Sequence, residues 1–174
     1  MIIDGTYYCT GTLINNSRSD GTPYLLTASH CLNQQFKLKN PDYEKIAGRI
    51  VAFFNYNSPM CESPIRGTEE MSMASTKYCA VYEDVDLALL KFLEIPPIYY
   101  RPYYSGWNAT KQHKGEYVCI QHPVGGTKRF SLTNELQMGD LVITEHDFQK
   151  NAFWNVKSWS VGCTAEGSSG SPLY

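Results

Sequence analysis

The chain has 174 residues, a formal net charge of −2, and 43% hydrophobic and 18% charged residues. That composition is too apolar and too weakly charged for a disordered polymer, and it lacks the basic excess that nucleic-acid binding requires. No apolar run reaches the length of a membrane span; the longest, at 87–93, is interrupted by Lys91.

The length suits one large domain or two small ones sharing a core. The first residues, Met1-Ile-Ile-Asp-Gly, have neither the basic start nor the apolar stretch of a signal peptide and read as the start of a mature or excised piece. From there, short β-branched and aromatic runs alternate with Gly, Pro, Asn and Ser punctuation. Predicted strands fall at 6–14, 24–28, 49–56, 77–83, 87–94, 117–122, 128–133, 140–145 and 152–156. A polar hairpin turn joins the first two, one helical turn follows at 28–32, and 62–78 reads as a polar surface loop. Strands at roughly 8–12-residue spacing predict an all-β barrel or sandwich. The stretch 95–108, with three prolines and four tyrosines, breaks the pattern. The expected organisation is a first unit at 1–95, a connection at 96–114 and a second unit at 115–174.

Six cysteines are dispersed along the chain: Cys9, Cys31, Cys61, Cys79, Cys119 and Cys163. None forms a CxxC pair, so zinc-ribbon spacing is absent and no metal site is expected. An even, dispersed set suits disulfides and an oxidising compartment.

Three blocks carry chemistry. The first is Cys9-Thr-Gly-Thr-Leu-Ile-Asn-Asn followed by Tyr24-Leu-Leu-Thr-Ala-Ser-His30-Cys31, a strand and then a strand running into a turn that presents His30. A Cys9–Cys31 cross-link between these neighbours would hold the imidazole. The second is Asp84-Val-Asp86-Leu-Ala-Leu-Leu, in which an Asp at the mouth of a buried strand can be kept ionised by N–H donors and accept from a histidine. Asp84 and Asp86 are both candidates on this ground, and a solvated turn is the competing reading. The third is Glu166-Gly-Ser-Ser169-Gly-Ser-Pro-Leu-Tyr174. It could be a Gly/Ser linker, but an apolar strand resumes at Pro172, and Gly167 and Gly170 bracket Ser169 as a sharp nucleophile turn requires. The N–H groups of Gly167 and Ser169 could then converge as an oxyanion hole. A serine hydroxyl needs an adjacent base, and the base an orienting acceptor. The order His, Asp, Ser is that of the chymotrypsin branch, whose triad is the standard template for these roles.

These blocks resemble the trypsin-like serine peptidases: Thr27-Ala-Ser-His30-Cys31 at the histidine, Asp86-Leu-Ala-Leu-Leu at the acid, Gly167-Ser-Ser169-Gly-Ser-Pro at the nucleophile. The resemblance narrows to the bacterial lysyl endopeptidases through residues 9–16, Phe54-Asn-Tyr56 leading to Cys61, Gly106-Trp107 and His122-Pro123, and spans 9–174. It implies two six-stranded antiparallel β-barrels, the second truncated at its C-terminal end, with the triad in the cleft between them. It assigns His30 as general base and acid, Asp86 as its orienting partner, Ser169 as acylating nucleophile, Gly167 and Ser169 as oxyanion-hole donors, and Cys9–Cys31 as the disulfide beside the histidine. Ser168 replaces the Asp that activates vertebrate relatives by pairing with a new N-terminus, a departure the lysyl endopeptidases share. The family places the partner of the Cys61 equivalent near its N-terminus, in a segment this sequence lacks; a local Cys61–Cys79 bridge, leaving Cys119–Cys163, is one arrangement among the 15 pairings that six cysteines permit. The strands that form the substrate pocket lie beyond Tyr174 in the family, and the chain is expected to be a fragment.

The implied protein is a secreted or periplasmic, monomeric endopeptidase acting on peptide or protein substrates. It needs no cofactor, nucleic acid or membrane, and cleavage after Lys is the family expectation. The alternative is a catalytically inactive binding module on the same fold. His113, His122 and His146 show no partner pattern and are expected to be structural.

Overall fold

The computed structural model describes residues 1–61, 63–110, 115–142 and 146–174. Twelve strands form among them: β1 (Ile2–Ile3), β2 (Tyr7–Tyr8), β3 (Thr12–Ile14), β4 (Tyr24–Thr27), β5 (Ile50–Phe53), β6 (Ser72–Ala74), β7 (Thr76–Tyr82), β8 (Leu87–Phe92), β9 (Tyr117–Gln121), β10 (Arg129–Thr133), β11 (Leu136–Gly139) and β12 (Phe153–Val156). One short helix, α1 (Tyr43–Ala47), starts at Asp42, whose carboxylate accepts from the Lys45 N–H at 3.1 Å. The fold is all-β, and every strand ladder is antiparallel.

The first half builds two four-stranded sheets, in the orders β2-β1-β5-β6 and β3-β4-β8-β7. Their inner faces share one core. Ile3, Ile50 and Ala52 come from the first sheet, Leu13, Leu25, Ala88, Leu90 and Phe92 from the second, and Ile46 and Ala47 from α1. The alternation is plain in β8, where Ala88, Leu90 and Phe92 are buried. Each large apolar side chain buried this way contributes about 2 kcal/mol before the entropy cost. In the second half the described strands pair as two hairpins, β9–β10 and β11–β12.

The structure changes several sequence expectations. The strand expected at 6–14 is interrupted, because residues 9–11 carry the disulfide and the contact with the Ser169 turn in place of ladder bonds. The loop expected at 62–78 contains β6 and the start of β7: Val51, Ala52 and Phe53 pair with Ala74, Met73 and Ser72, a match of backbone that a polar sequence does not advertise. β1 and β11 are also unanticipated. Of the strand expected at 140–145, residues 140–142 are not in a strand, and 143–145 lie outside the described residues, as does His113.

Cys9 and Cys31 form a disulfide across a sequence separation of 22. The other two expected bridges are absent: Cys61, Cys79, Cys119 and Cys163 are free thiols. Position explains this. Cys79 sits exposed at the bulge of β7 between Tyr78 and Ala80, while Cys61 borders an apolar cleft lined by Phe130, Val161 and Cys163. Cys119 is buried in β9 beside an isolated bridge to Leu173, and burial pushes its thiol pKa up.

The Cys9–Cys31 loop sets one expectation. Replacing both cysteines with alanine should remove about 3 kcal/mol of stability by the loop-entropy relation, read as a lower midpoint in denaturant titration under non-reducing conditions. An unchanged midpoint would show that the cross-link does not constrain the unfolded chain.

Candidate active site

The β4–β8 ladder brings the first two candidate residues together. Thr27 pairs with Ala88, so the same register, carried past the end of the ladder, sets Ser29 opposite Asp86. The Ser29 N–H donates to the Asp86 carbonyl at 3.3 Å. β4 leaves its sheet through Ala28, in extended conformation, and tightens into a single 3-10 turn at Ser29–Cys31 that carries His30. Asp86 follows another such turn, Glu83–Val85, and adopts φ 52°, ψ 45°. That is the left-handed region, which Asp tolerates better than most residues.

This backbone turns the Asp86 carboxylate onto the histidine loop. Oδ1 accepts from the His30 backbone N–H at 2.8 Å and from the Ser29 hydroxyl at 3.0 Å. Oδ2 lies 2.7 Å from His30 Nδ1. Because an ionised carboxylate only accepts, the imidazole donates to it through Nδ1–H, which in the neutral ring is the tautomer with the lone pair on Nε2. Both side chains are mostly shielded, 20% exposed for His30 and 11% for Asp86. Asp84 is exposed, and its carbonyl accepts from the Gln149 N–H at 2.8 Å; its position separates it from the imidazole.

Ser169 lies in the turn at 167–170, where Gly167 and Gly170 have φ of +85° and +81°. Glycine is needed at 170 for space as well as conformation. A Cβ there would collide with the Thr27 hydroxyl and the Thr10 carbonyl. The turn is pinned throughout. Glu166 O accepts from the Val124 N–H at 2.5 Å, Ser168 O from the Ser171 N–H at 3.0 Å and Ser169 O from the Thr10 N–H at 2.8 Å. The Ser168 N–H is spent on Ala165 O at 3.0 Å. The N–H groups of Gly167 and Ser169 donate to no acceptor among the described residues.

His30, Gly167 and Ser169 line one cleft, together with the Cys9–Cys31 disulfide, Tyr7, Gln35 and Glu166. No hydrogen bond joins Ser169 Oγ to His30 Nε2 among the described residues; such contacts commonly tighten only when substrate is bound. Glu166 was not singled out by sequence reasoning, because a lone acidic residue beside a Gly/Ser run has no pattern. Phe36 was also missed, and His146, expected to be structural, packs against it. The Phe36 ring centroid lies 6.3 Å from that of His30 and stacks on His146 at 4.2 Å. This joins the histidine loop to a segment more than a hundred residues away. No group of three or more His, Cys, Asp or Glu side chains among the described residues is placed to hold a metal ion.

An antiparallel all-β fold that sets a His against an Asp, and a glycine-flanked Ser in the same cleft as that His, is that of the trypsin-like proteases. Two crystal structures agree at the level of fold. One is the Rv3671c protease in an inactive form (TM-score 0.51, 15% identity, 95% of this chain and 65% of that one). The other is a serine-to-alanine mutant of Rv3671c from M. tuberculosis H37Rv (TM-score 0.52, 14% identity, 95% of this chain and 62% of that one). The family model described as "Lysyl endopeptidase, C-terminal domain" matches residues 1–174, and the chain belongs to that family. A curated relative, a lysyl endopeptidase from Pseudomonas aeruginosa, is 28% identical over 139 residues. That alignment covers 78% of this chain and 28% of the relative, so the chain spans under a third of its length.

His122 bears on stability near neutral pH. Its ring is largely buried, and Nδ1–H donates to Gly126 O at 3.0 Å. Desolvation holds its pKa below the ordinary 6.5. The native state therefore favours the neutral ring, whereas the unfolded chain takes up a proton as pH falls through about 6.5. Stability should decline from pH about 7 to about 5. The decline should be shallower in His122→Asn, whose amide reaches the same carbonyl, as melting temperatures across that range would show.

Proposed function

We propose that the protein is a serine endopeptidase in which His30, Asp86 and Ser169 form the catalytic triad, and that it cleaves peptide or protein substrates. The observation that carries this reading is the Asp86 carboxylate, which accepts from Ser29 and from both N–H groups of His30, while His30 lines the cleft that also holds Ser169. Attack by Ser169 Oγ on the scissile carbonyl transfers the hydroxyl proton to His30 Nε2. Asp86 stabilises the resulting imidazolium, and the Gly167 and Ser169 N–H groups receive the oxyanion. His30 then protonates the departing amine, and water repeats the sequence to release the acyl group. Every group used is an amino-acid side chain or a backbone amide, so these steps call on no cofactor.

Cleavage after Lys is the finer part of the proposal. Family membership supports it, as does the Glu166 carboxylate, which lines the cleft where it could meet a cationic side chain. Ladders that pair within the first half or within the second support a division at 1–95, 96–114 and 115–174; residues 111–114 of the connection are outside those described. The disulfide supports a secreted or periplasmic, oxidising setting. We further propose a monomer that acts without nucleic acid or membrane. The unformed Ser169–His30 hydrogen bond is what favours the alternative, a non-catalytic binding module.

Labelling the protein's whole natural chain with a fluorophosphonate separates the two readings. The wild type should be modified at Ser169 and the Ser169→Ala variant should not; a folded wild type that resists modification would favour the binding module. Asp86→Asn should retain the fold but lower kcat by about 10⁴-fold, the cost of a wrongly oriented tautomer at the equivalent acid in the standard triad. A steady-state assay on a Lys-containing peptide measures it.

A further inference from the structure

Thr10 lies between Cys9 of the disulfide and Gly11, outside the triad and the oxyanion donors. It is 3% exposed, and each of its polar groups is engaged. Its N–H donates to Ser169 O at 2.8 Å. Its carbonyl accepts from the Thr27 hydroxyl at 2.8 Å. Its own hydroxyl donates to Gly167 O at 2.9 Å and accepts from the His122 N–H at 3.0 Å. A single buried hydroxyl thus joins the first sheet region, the end of β9 and the nucleophile turn.

The consequence follows from the planarity of peptides. Of the four peptide planes that span Glu166 to Gly170, the first carries the Gly167 N–H and the third the Ser169 N–H, and the second links those two. The plane from Glu166 to Gly167 is held by the Val124 N–H, and the plane from Ser168 to Ser169 by the Ser171 N–H. The linking plane, from Gly167 to Ser168, is held at its carbonyl by the Thr10 hydroxyl, and the last plane, from Ser169 to Gly170, at its carbonyl by the Thr10 amide. Glycine at 167, with φ +85°, is free to rotate by itself; the Thr10 hydroxyl is what holds its carbonyl inward.

We propose that Thr10 is a positioning residue for catalysis, its hydroxyl fixing the peptide that links the two donor-bearing planes and so the angle at which the Gly167 and Ser169 N–H groups converge on the oxyanion. This rests on the peptidase reading above. The hydroxyl touches no reacting atom, and its effect is transmitted through the turn. Valine has the same shape without the hydroxyl, and leaves the His122 N–H and Gly167 O unpaired in a buried site. Serine keeps the hydroxyl.

The test compares wild type, Thr10→Val and Thr10→Ser in the whole natural chain. Three readouts are used: steady-state kinetics on a peptide substrate with a peptide boronate as inhibitor, fluorophosphonate labelling, and amide hydrogen exchange at His122. In Thr10→Val, kcat should fall about 10- to 100-fold, the scale of a misplaced catalytic donor, with KM within about 2-fold. Affinity for the boronate should fall in parallel, and the His122 amide should exchange faster. Thr10→Ser should retain kcat within about 3-fold. A valine variant that melts lower but keeps kcat overturns the proposal, as does a serine variant that loses as much as valine. Unchanged exchange at His122 in the valine variant overturns the bridge alone. A wild type inert to fluorophosphonate overturns the peptidase reading, and the catalytic role of Thr10 with it.

Discussion

The site depends first on the register between β4 and β8. Once Thr27 faces Ala88, the residues just beyond the ladder are committed: the turn bearing His30 rises beside the residue that enters β8. The side-chain contact between His30 and Asp86 is then a local matter, although 56 residues separate them in sequence. A slip of one residue would turn the face of β8 that buries Ala88, Leu90 and Phe92 outward, so the hydrophobic core and the imidazole–carboxylate pair are specified by the same constraint.

The second dependence is of the turn at 167–170 on residues outside it. Its local contacts are those of Ser168 with Ala165 and Ser171; the carbonyls of Glu166, Gly167 and Ser169 are held by Val124 and Thr10. Thr10 is itself fixed by the adjacent Cys9–Cys31 disulfide and by Thr27 at the end of β4. The disulfide therefore does more than shorten the unfolded chain. It secures the residue on which the turn rests, next to the loop that carries the histidine. The Phe36–His146 stack and the Gln149–Asp84 hydrogen bond tie the far segment back to the same loops, so the turns bearing His30 and Asp86 are both braced from the second half.

Much of the site was legible in sequence because it lies in short, continuous motifs. A strand ending in Thr-Ala-Ser-His-Cys, an acid leading an apolar strand, and a serine between glycines are each set by local backbone needs: a tight turn, a left-handed residue, two positive φ values. The all-β class followed from strand spacing for the same reason. What failed to show were elements whose partners are remote and whose own residues are unremarkable. β6 is three residues of mixed polarity that form a strand only because β5 offers them an edge. The free thiols show the same limit from the other side. Cys119 and Cys163 were expected to pair, yet one is buried in β9 and the other exposed at a cleft.

By itself, then, the sequence determined the class of fold, the family, the Cys9–Cys31 neighbourhood and the identity of the His, Asp and Ser candidates, because periodicity and motif chemistry are local properties of the chain. Only the tertiary structure decided that Asp86 meets the imidazole through Oδ2 while Oδ1 takes the Ser29 hydroxyl and the His30 amide, that Glu166 lines the cleft, and that the Thr10 hydroxyl bridges His122 and Gly167. Those outcomes depend on register, on a left-handed backbone at one residue and on contacts between segments more than a hundred residues apart. A hydrogen bond is directional over about 3 Å, and no pattern along the chain encodes which distant carbonyl a buried hydroxyl will meet.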